Sequence, residues 1–363
     1  MYFWLNLIYL PIFVAVNKRK KDMAKRVTIS DLAKELNTTT STISRALRNH
    51  PSISINMRKK VSELAKQRNY QVNSMAANLR SGRSMTIGVI VPHINRDFFA
   101  NVISGIEEVA KKEGYSVVIC QTKDKIEKEK KCIETFLRTR VDGVLVSVGL
   151  ETDTFDHLDQ IRKMNVPLIF FDRVQESSHS MSIVNDDVEG SFQGVSHLLN
   201  EGYKRIAIFA GPEHINIYRN RKQGYLNALN KRGIKIDKKL IIINNLSYDA
   251  GVESIKELMK LKNPPDAIFS SSDYCAVGAL HWLKNNGYRI PEDIGIVGYS
   301  NEKFTSFISP SLTSIDQHSL EMGRYAAKTF FDLIKSDEKD IILNSLSINP
   351  KLIIRESSKR KKI

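Results

Sequence analysis

Residues 39 to 45 read Thr-Thr-Ser-Thr-Ile-Ser-Arg, five short hydroxyl side chains and an arginine around one isoleucine. Short hydroxyls let a backbone come close to base edges and phosphates, and a guanidinium fork pairs with the major-groove edge of guanine. Thr40, Ser41 and Arg45 suit base edges. Thr28, Thr39, Ser44 and Asn49 suit phosphate oxygens, contacts that position a protein without specifying sequence. Catalysis has no comparable pattern. The chain lacks GxxxxGK[ST] and a GxGxxG after a strand, and GPEHINIYRNR holds no nucleophile with a base beside it. The histidines are dispersed, and Cys120, Cys132 and Cys275 show neither CxxC nor zinc-ligand spacing. The expectation is a non-enzyme without metal or cofactor, in a reducing cytoplasm.

The hydroxyl run needs helices to hold it. Thr28 with Asp31 has the form of a capping box, and Ile29, Leu32, Ala33 and Leu36 then recur with helical spacing. Asn37 to Thr39 interrupt that helix, after which Ile43, Ala46 and Leu47 share one face and the polar residues the other. Ser54 is placed to cap a third helix with Met57, Val61, Leu64 and Ala65 as its apolar stripe. Two short helices around a tight turn, braced by a third, describe a helix-turn-helix, whose second helix enters the major groove.

Charge marks the same module. The chain carries a formal +15, of which residues 23–83 hold +9, residues 1–22 hold +3 and Lys359 to Lys362 hold +4, leaving residues 84–358 at −1. So concentrated an excess points to a polyanion. Residues 1–16 form an apolar run, short for a spanning helix, broken by Pro11 and without the basic leader or cleavage site of a secretory signal. The expectation is an extension over 1–22 ahead of a functional start at Met23, with a membrane anchor as the weaker alternative.

The run VTISDLAKELNTTTSTISRALRNHPSISINMRKKVSELAKQRNYQVNSMAANLRSGRSMTIGVIVP resembles the LacI/GalR family of bacterial regulators, and the resemblance extends almost to the C-terminus. It implies that the segment after the third helix becomes a hinge helix on DNA. Asn73 and Ala76 then fall on DNA-contacting positions, and Leu79 on that of a leucine wedge which opens a minor-groove base step. Gln71, Val72 and Asn73 depart from the proline that commonly precedes the asparagine.

From Met85 onward, apolar runs (TIGVIVP, SVVICQT, VDGVLVSV, VPLIFFD) alternate with amphipathic stretches, and the pattern restarts at RIAIFAG, LIIINN, DAIFSSSD and IGIVGYS. Repeated βα units give parallel sheets covered by helices, and two such halves leave a cleft at the carboxyl ends of their strands. The expected fold is therefore a small all-α helix-turn-helix domain plus an α/β two-lobe core like that of periplasmic sugar-binding proteins. Its expected domains are residues 23–70, a linker over 71–83, a ligand-binding and dimerising body over 84–358, and a basic tail over 359–363.

The resemblance selects Asp97, Phe98, Phe99, Asp172, Arg221, Asp273 and Asn301 as effector contacts, with Tyr218, Asn220 and Gln317 behind them. Carboxylate, guanidinium and amide groups suit vicinal hydroxyls, and an aromatic face suits a sugar ring. It implies a regulator, acting as a repressor on double-stranded palindromic operator DNA and controlled by a sugar-like effector. No leucine heptad follows the last apolar run, so a homodimer is expected, and a solvated tail is favoured over a DNA contact. The lobes alone would also suit a sugar-binding receptor of a transport system. The DNA-binding module and the absence of a usable export signal place that reading second.

Overall fold

The computed structural model describes residues 27–70, 82–175, 181–336 and 345–360, which fall into two units parted between Ser81 and Gly82. Asn73, Ala76, Leu79 and the apolar start lie outside the described residues.

The first unit holds three helices, α1 (Ile29–Glu35), α2 (Thr40–Leu47) and α3 (Ile55–Gln67). The capping box forms: the Thr28 hydroxyl accepts from the Asp31 amide at 3.3 Å, and the Asp31 carboxylate accepts from the Thr28 amide at 2.9 Å. Thr39 caps α2 and Ser54 caps α3 in the same direction, each accepting from the amide three residues on. Helices this short do not persist alone. They are held by a shared core of Leu32, Ala33, Ile43, Ala46, Val61, Leu64 and Ala65. Arg58 Nε donates to the Ile53 carbonyl at 2.8 Å and fastens the loop between α2 and α3.

The second unit contains two six-stranded sheets. The first half of the sequence supplies β1 (Thr86–Val91), α4 (Asp97–Lys112), β2 (Ser116–Gln121), α5 (Ile126–Thr139), β3 (Gly143–Val146), α6 (Asp156–Lys163), β4 (Leu168–Phe171) and β5 (Met181–Asn185). The second supplies α7 (Asp187–Asn200), β6 (Ile206–Ala210), α8 (Asn216–Lys231), β7 (Ile241–Ile243), α9 (Tyr248–Met259), β8 (Ala267–Ser270), α10 (Asp273–Asn285), β9 (Gly295–Tyr299) and β10 (Thr313–Asp316). Then come α11 (Ser319–Lys335), β11 (Ser345–Ile348) and β12 (Lys351–Ile353). The sheet orders are β11-β5-β4-β3-β1-β2 and β12-β10-β9-β8-β6-β7, parallel throughout except that β12 runs against β10.

Because both faces of each sheet are covered, its strands read as continuous apolar runs. In β1, Ile87, Val89 and Val91 face α4 and α11 while Ile90 faces α5 and α6. In β6, Ala207 and Phe209 face α9 and α10 while Ile206 and Ile208 face α7 and α8.

The lobes are not the two halves of the sequence. Helix α11, which follows the second sheet's β10, packs Met322, Ala326, Phe330 and Phe331 onto the first sheet, and β11 joins that sheet before β12 returns to the second. The chain thus crosses between lobes three times, after β5, β10 and β11. Asn185 joins these crossings: its Nδ2 donates to the carbonyl of Gln317 at 3.0 Å and to that of Ile348 at 3.3 Å. The expected solvated tail is partly docked, since the Arg360 guanidinium lies 3.9 Å from the Tyr203 ring centroid and its amide donates to Glu201.

Candidate ligand cavity and nucleic-acid face

A cavity of about 420 Å³ lies between the lobes. Nearly every residue on its wall follows the carboxyl end of a strand: His93 and Arg96 after β1, Lys123 and Asp124 after β2, Asp172 and Arg173 after β4, Ser271 and Ser272 after β8, Ser300 and Glu302 after β9, Gln317 after β10. Open parallel sheets place ligands there because crossovers leave that edge free of packing. The first turns of α8 add Tyr218 and Arg221, and α4 adds Phe98 and Phe99.

Of the residues selected from sequence, Phe98, Phe99, Asp172 and Arg221 line the cavity, as do Tyr218 and Gln317 from the second rank. Phe98 and Phe99 meet edge to face with centroids 5.0 Å apart. Asp172 holds a left-handed backbone at φ 59°, and Asn216 Nδ2 donates to its carbonyl at 3.1 Å. Burial pushes its carboxyl up to about 6, against the pull of Arg173 and Arg221.

Arg221 is fixed on three sides. Its Nε donates to Asp187 at 2.8 Å, its Nη1 donates to the Ser271 carbonyl at 2.9 Å, and the guanidinium sits 3.7 Å from the centroid of the Tyr299 ring. Both charges of the Arg221–Asp187 pair are almost wholly buried. Removing either would leave the other uncompensated. Tyr218 lies against the chain at Gly211, where a Cβ would come within 2.5 Å of the ring.

Asp97, Asp273 and Asn301 are not on the cavity wall, nor is Asn220. Asp273 is 0% exposed; its Oδ2 accepts from the Glu302 amide at 2.9 Å and its Oδ1 from the Ser314 hydroxyl at 2.7 Å. It fits only because residue 298 is glycine, where a Cβ would meet Asp273 Oδ1 at 2.1 Å. Asn301 donates to Asp316 at 3.2 Å and accepts from Arg355 at 2.7 Å. In both places the residues on either side reach the wall, Ser272 and Tyr274 around Asp273, and Ser300 and Glu302 around Asn301.

Asp97 takes part in an exchange of caps between lobes. Helix α4 has no side-chain cap of its own, and Glu302 supplies one, accepting from the Asp97 amide at 2.9 Å and the Phe98 amide at 3.5 Å. Asp97 Oδ2 in return accepts from the amide of Lys303, the first residue of a 3₁₀ turn over Lys303–Ser306 that also lacks its own cap. Burial pushes the Glu302 carboxyl up to about 7, although the two amides favour its charged form. Arg96 adds to the closure by laying its guanidinium 3.3 Å from the Tyr274 ring centroid.

Sequence reasoning also missed a network on the wall itself. Arg173 Nη1 donates to Asp124 at 2.6 Å and Nη2 to the Tyr218 hydroxyl at 3.2 Å, while His93 Nε2 lies 2.7 Å from the other Asp124 oxygen. Burial alone would raise the Asp124 carboxyl, but the His93 hydrogen bond and the Arg173 charge together hold it well below the usual range. Asp124 was visible as a carboxylate at the end of SVVICQT, and Arg173 as the neighbour of Asp172. Among the described residues no set of side chains converges as a metal site, and no helix is long and apolar enough to cross a membrane.

In the first unit, Ile43 and Ala46 anchor α2 and leave Thr40, Ser41 and Arg45 exposed on one side of it, with Ser44 half-buried. Thr28 and Thr39 already use their hydroxyls in caps, although both remain exposed. Asn49 is exposed in the turn that ends α2, with φ 57°.

A family model described as "Periplasmic binding proteins and sugar binding domain of LacI family" matches residues 84–356. A second, "Bacterial regulatory proteins, lacI family", matches residues 28–73. The chain belongs to the LacI family. Among its LacI-family relatives is the HTH-type transcriptional repressor CytR of Escherichia coli (strain K12), 32% identical across 94% of this chain and 99% of that one. The solved transcriptional regulator CelR–cellobiose complex is 26% identical with a TM-score of 0.70, covering 92% of this chain and all of the other. The Lac repressor dimer bound to operator shares the fold, with a TM-score of 0.82 at 24% identity over 93% of this chain and all of that one. This LacI-family chain is a DNA-binding transcriptional regulator with an effector-binding domain. Its relatives are regulators, not enzymes.

Proposed function

We propose that this regulator is a repressor that works as a homodimer on palindromic operator DNA and is controlled by a sugar-like effector held between its lobes. The observation that carries the reading is the cavity itself, where buried Asp172, Arg221 and Gln317 lie beside Phe98 and Phe99. Asp172, held among the described residues only by the Ser147 hydroxyl at 3.4 Å, suits vicinal hydroxyls, Arg221 and Gln317 fix the polar wall around it, and the phenylalanines suit ring CH groups. A sugar in the CelR complex, cellobiose, supports the ligand class.

Thr40, Ser41 and Arg45 read base edges, Thr28, Thr39, Ser44 and Asn49 hold phosphates, and Asn73, Ala76 and Leu79 act in the linker over 71–83. Asp97, Asp273 and Asn301 enter the effector site indirectly, by positioning the loops that carry Phe98, Ser272 and Ser300. The effector changes the angle between lobes, and the linker carries that change to residues 23–70 in a dimer. The protein acts in the cytoplasm, is not a catalyst, and uses no metal or cofactor.

Ser272→Phe tests the site. The Ser272 side chain lines the cavity, half-buried, without capping α10, so a phenyl ring there fills the space without removing a hydrogen bond. Titration calorimetry of the full chain against pentoses, hexoses and disaccharides should show at least one ligand that wild type binds and the variant does not. Equal binding by both would contradict the assignment.

A further inference from the structure

The cavity wall includes two arginines with a buried donor that finds no acceptor among the described residues. Arg221 is committed to Asp187 and the Ser271 carbonyl, and Lys125 pairs with Glu151. Arg173 is 7% exposed, and while its two Nη atoms have partners, its Nε is buried without an acceptor. Arg96 Nη1 is also buried without an acceptor, its guanidinium held flat on Tyr274. Lys123, on the same wall, forms no ion pair with any described residue. A buried charged donor left unpaired costs more than a neutral one.

Apart from the Arg173–Asp124 pair, the wall's carboxylates are occupied elsewhere and leave the unpartnered nitrogens unmet. Glu302 accepts from the first amides of α4, Asp124 is surrounded by His93, Arg173 and the Leu150 amide, and Glu151 holds Lys125. Asp172 alone is lightly engaged, with the Ser147 hydroxyl at 3.4 Å. One carboxylate is thus lightly engaged on the wall, and two buried guanidinium nitrogens of wall residues have no acceptor among the described residues. A charged oxygen forms the stronger bond with such a donor.

Resting on the reading of this cavity as the effector site, we propose that the effector is an acidic sugar. Its carboxylate or phosphate pairs with the guanidinium groups of Arg96 and Arg173, whose buried nitrogens lack an acceptor, with Lys123 beside them, and its hydroxyls pair with Asp172. Inorganic phosphate alone should occupy the anionic end weakly.

Matched sets test this with the full chain: glucose, gluconate and glucose 6-phosphate, then ribose, ribonate and ribose 5-phosphate, with inorganic phosphate as the minimal probe. Thermal unfolding is followed in wild type, Arg96→Gln and Lys123→Gln. Arg96 is half-buried and Lys123 exposed, so the variants should fold, and unchanged unliganded Tm confirms it. The proposal expects at least one acid or phosphate to raise Tm by a few degrees where its neutral parent does not, with affinity falling about tenfold in Arg96→Gln, the loss of one charge-assisted bond. Whether carboxylate or phosphate stabilises more identifies the group. Neutral sugars that bind as tightly as their acids, or an acid preference untouched in both variants, would overturn the inference and leave the effector cavity standing. If no acid, phosphate or inorganic phosphate shifts Tm the inference also fails, and if Ser272→Phe then binds every sugar as wild type does, the cavity reading falls with it.

Discussion

Glu302 shows how one side chain links burial, pH and the meeting of the lobes. Its carboxyl is pushed up to about 7 by burial, so the folded protein holds a proton that the unfolded chain has already released. Stability from such a group is present at low pH and is lost as pH rises through the window between the usual carboxylate range and about 7. Asp172 and Asp273, both raised to about 6, act in the same direction. Glu302→Gln should therefore flatten the fall in Tm between about pH 5 and 7, because the amide cannot release a proton there. An unchanged slope would place the titration elsewhere. At this scale the sequence was informative about residue type and less so about direction. Asp172 and Arg221 line the cavity, whereas Asp273 and Asn301 do not, although both neighbours of each are on the wall. The sequence does not carry side-chain direction: Asp273 opens α10 and turns to the Glu302 amide and the Ser314 hydroxyl, and Asn301, at φ 50°, turns to Asp316 and Arg355.

At the scale of elements, α4 and the 3₁₀ turn over Lys303–Ser306 each begin without a side-chain cap of their own, and each takes one from the opposite lobe. Helix starts leave amide groups unsatisfied, and acidic groups placed there are favoured by the helix dipole. The exchange exists only while the lobes are together, so it belongs to the energetics of ligand binding. Asp97→Ala should weaken effector binding about tenfold, the equivalent of one charge-assisted hydrogen bond, although Asp97 does not line the cavity. Binding by calorimetry at wild-type affinity would show that the exchange does not contribute to closure. The three short helices of the first unit were legible because caps and apolar stripes are local signals: Thr28 and Ser54 cap as their spacing implied, and Thr39, read as part of the turn, caps α2 as well. The exchange of caps joins residues about 205 positions apart, a pairing that no local pattern encodes.

On the scale of the molecule, the alternation of strands and helices gave two α/β lobes but not their true membership. An amphipathic helix at 319–335 carries no mark of which sheet it covers; it lies on the first because Phe330 and Phe331 fill the space beside Tyr115. The result is three chain crossings joined at Asn185, an arrangement that lets the lobes rotate about a narrow waist while each keeps its core. The central claim is that the ligand between these lobes governs DNA binding by residues 23–70. The direct test is the anisotropy of a labelled duplex, selected from a random pool by this protein, titrated with wild type and Ser272→Phe, each with and without the sugar or sugar acid that most raises wild-type Tm. The selected duplex should be palindromic. Both proteins should bind it alike without ligand, and ligand should change the affinity of wild type about tenfold, within the usual range of coupling between sites, while leaving the variant unmoved. Ligand that binds wild type without altering its DNA affinity, or that alters both proteins equally, would contradict the account.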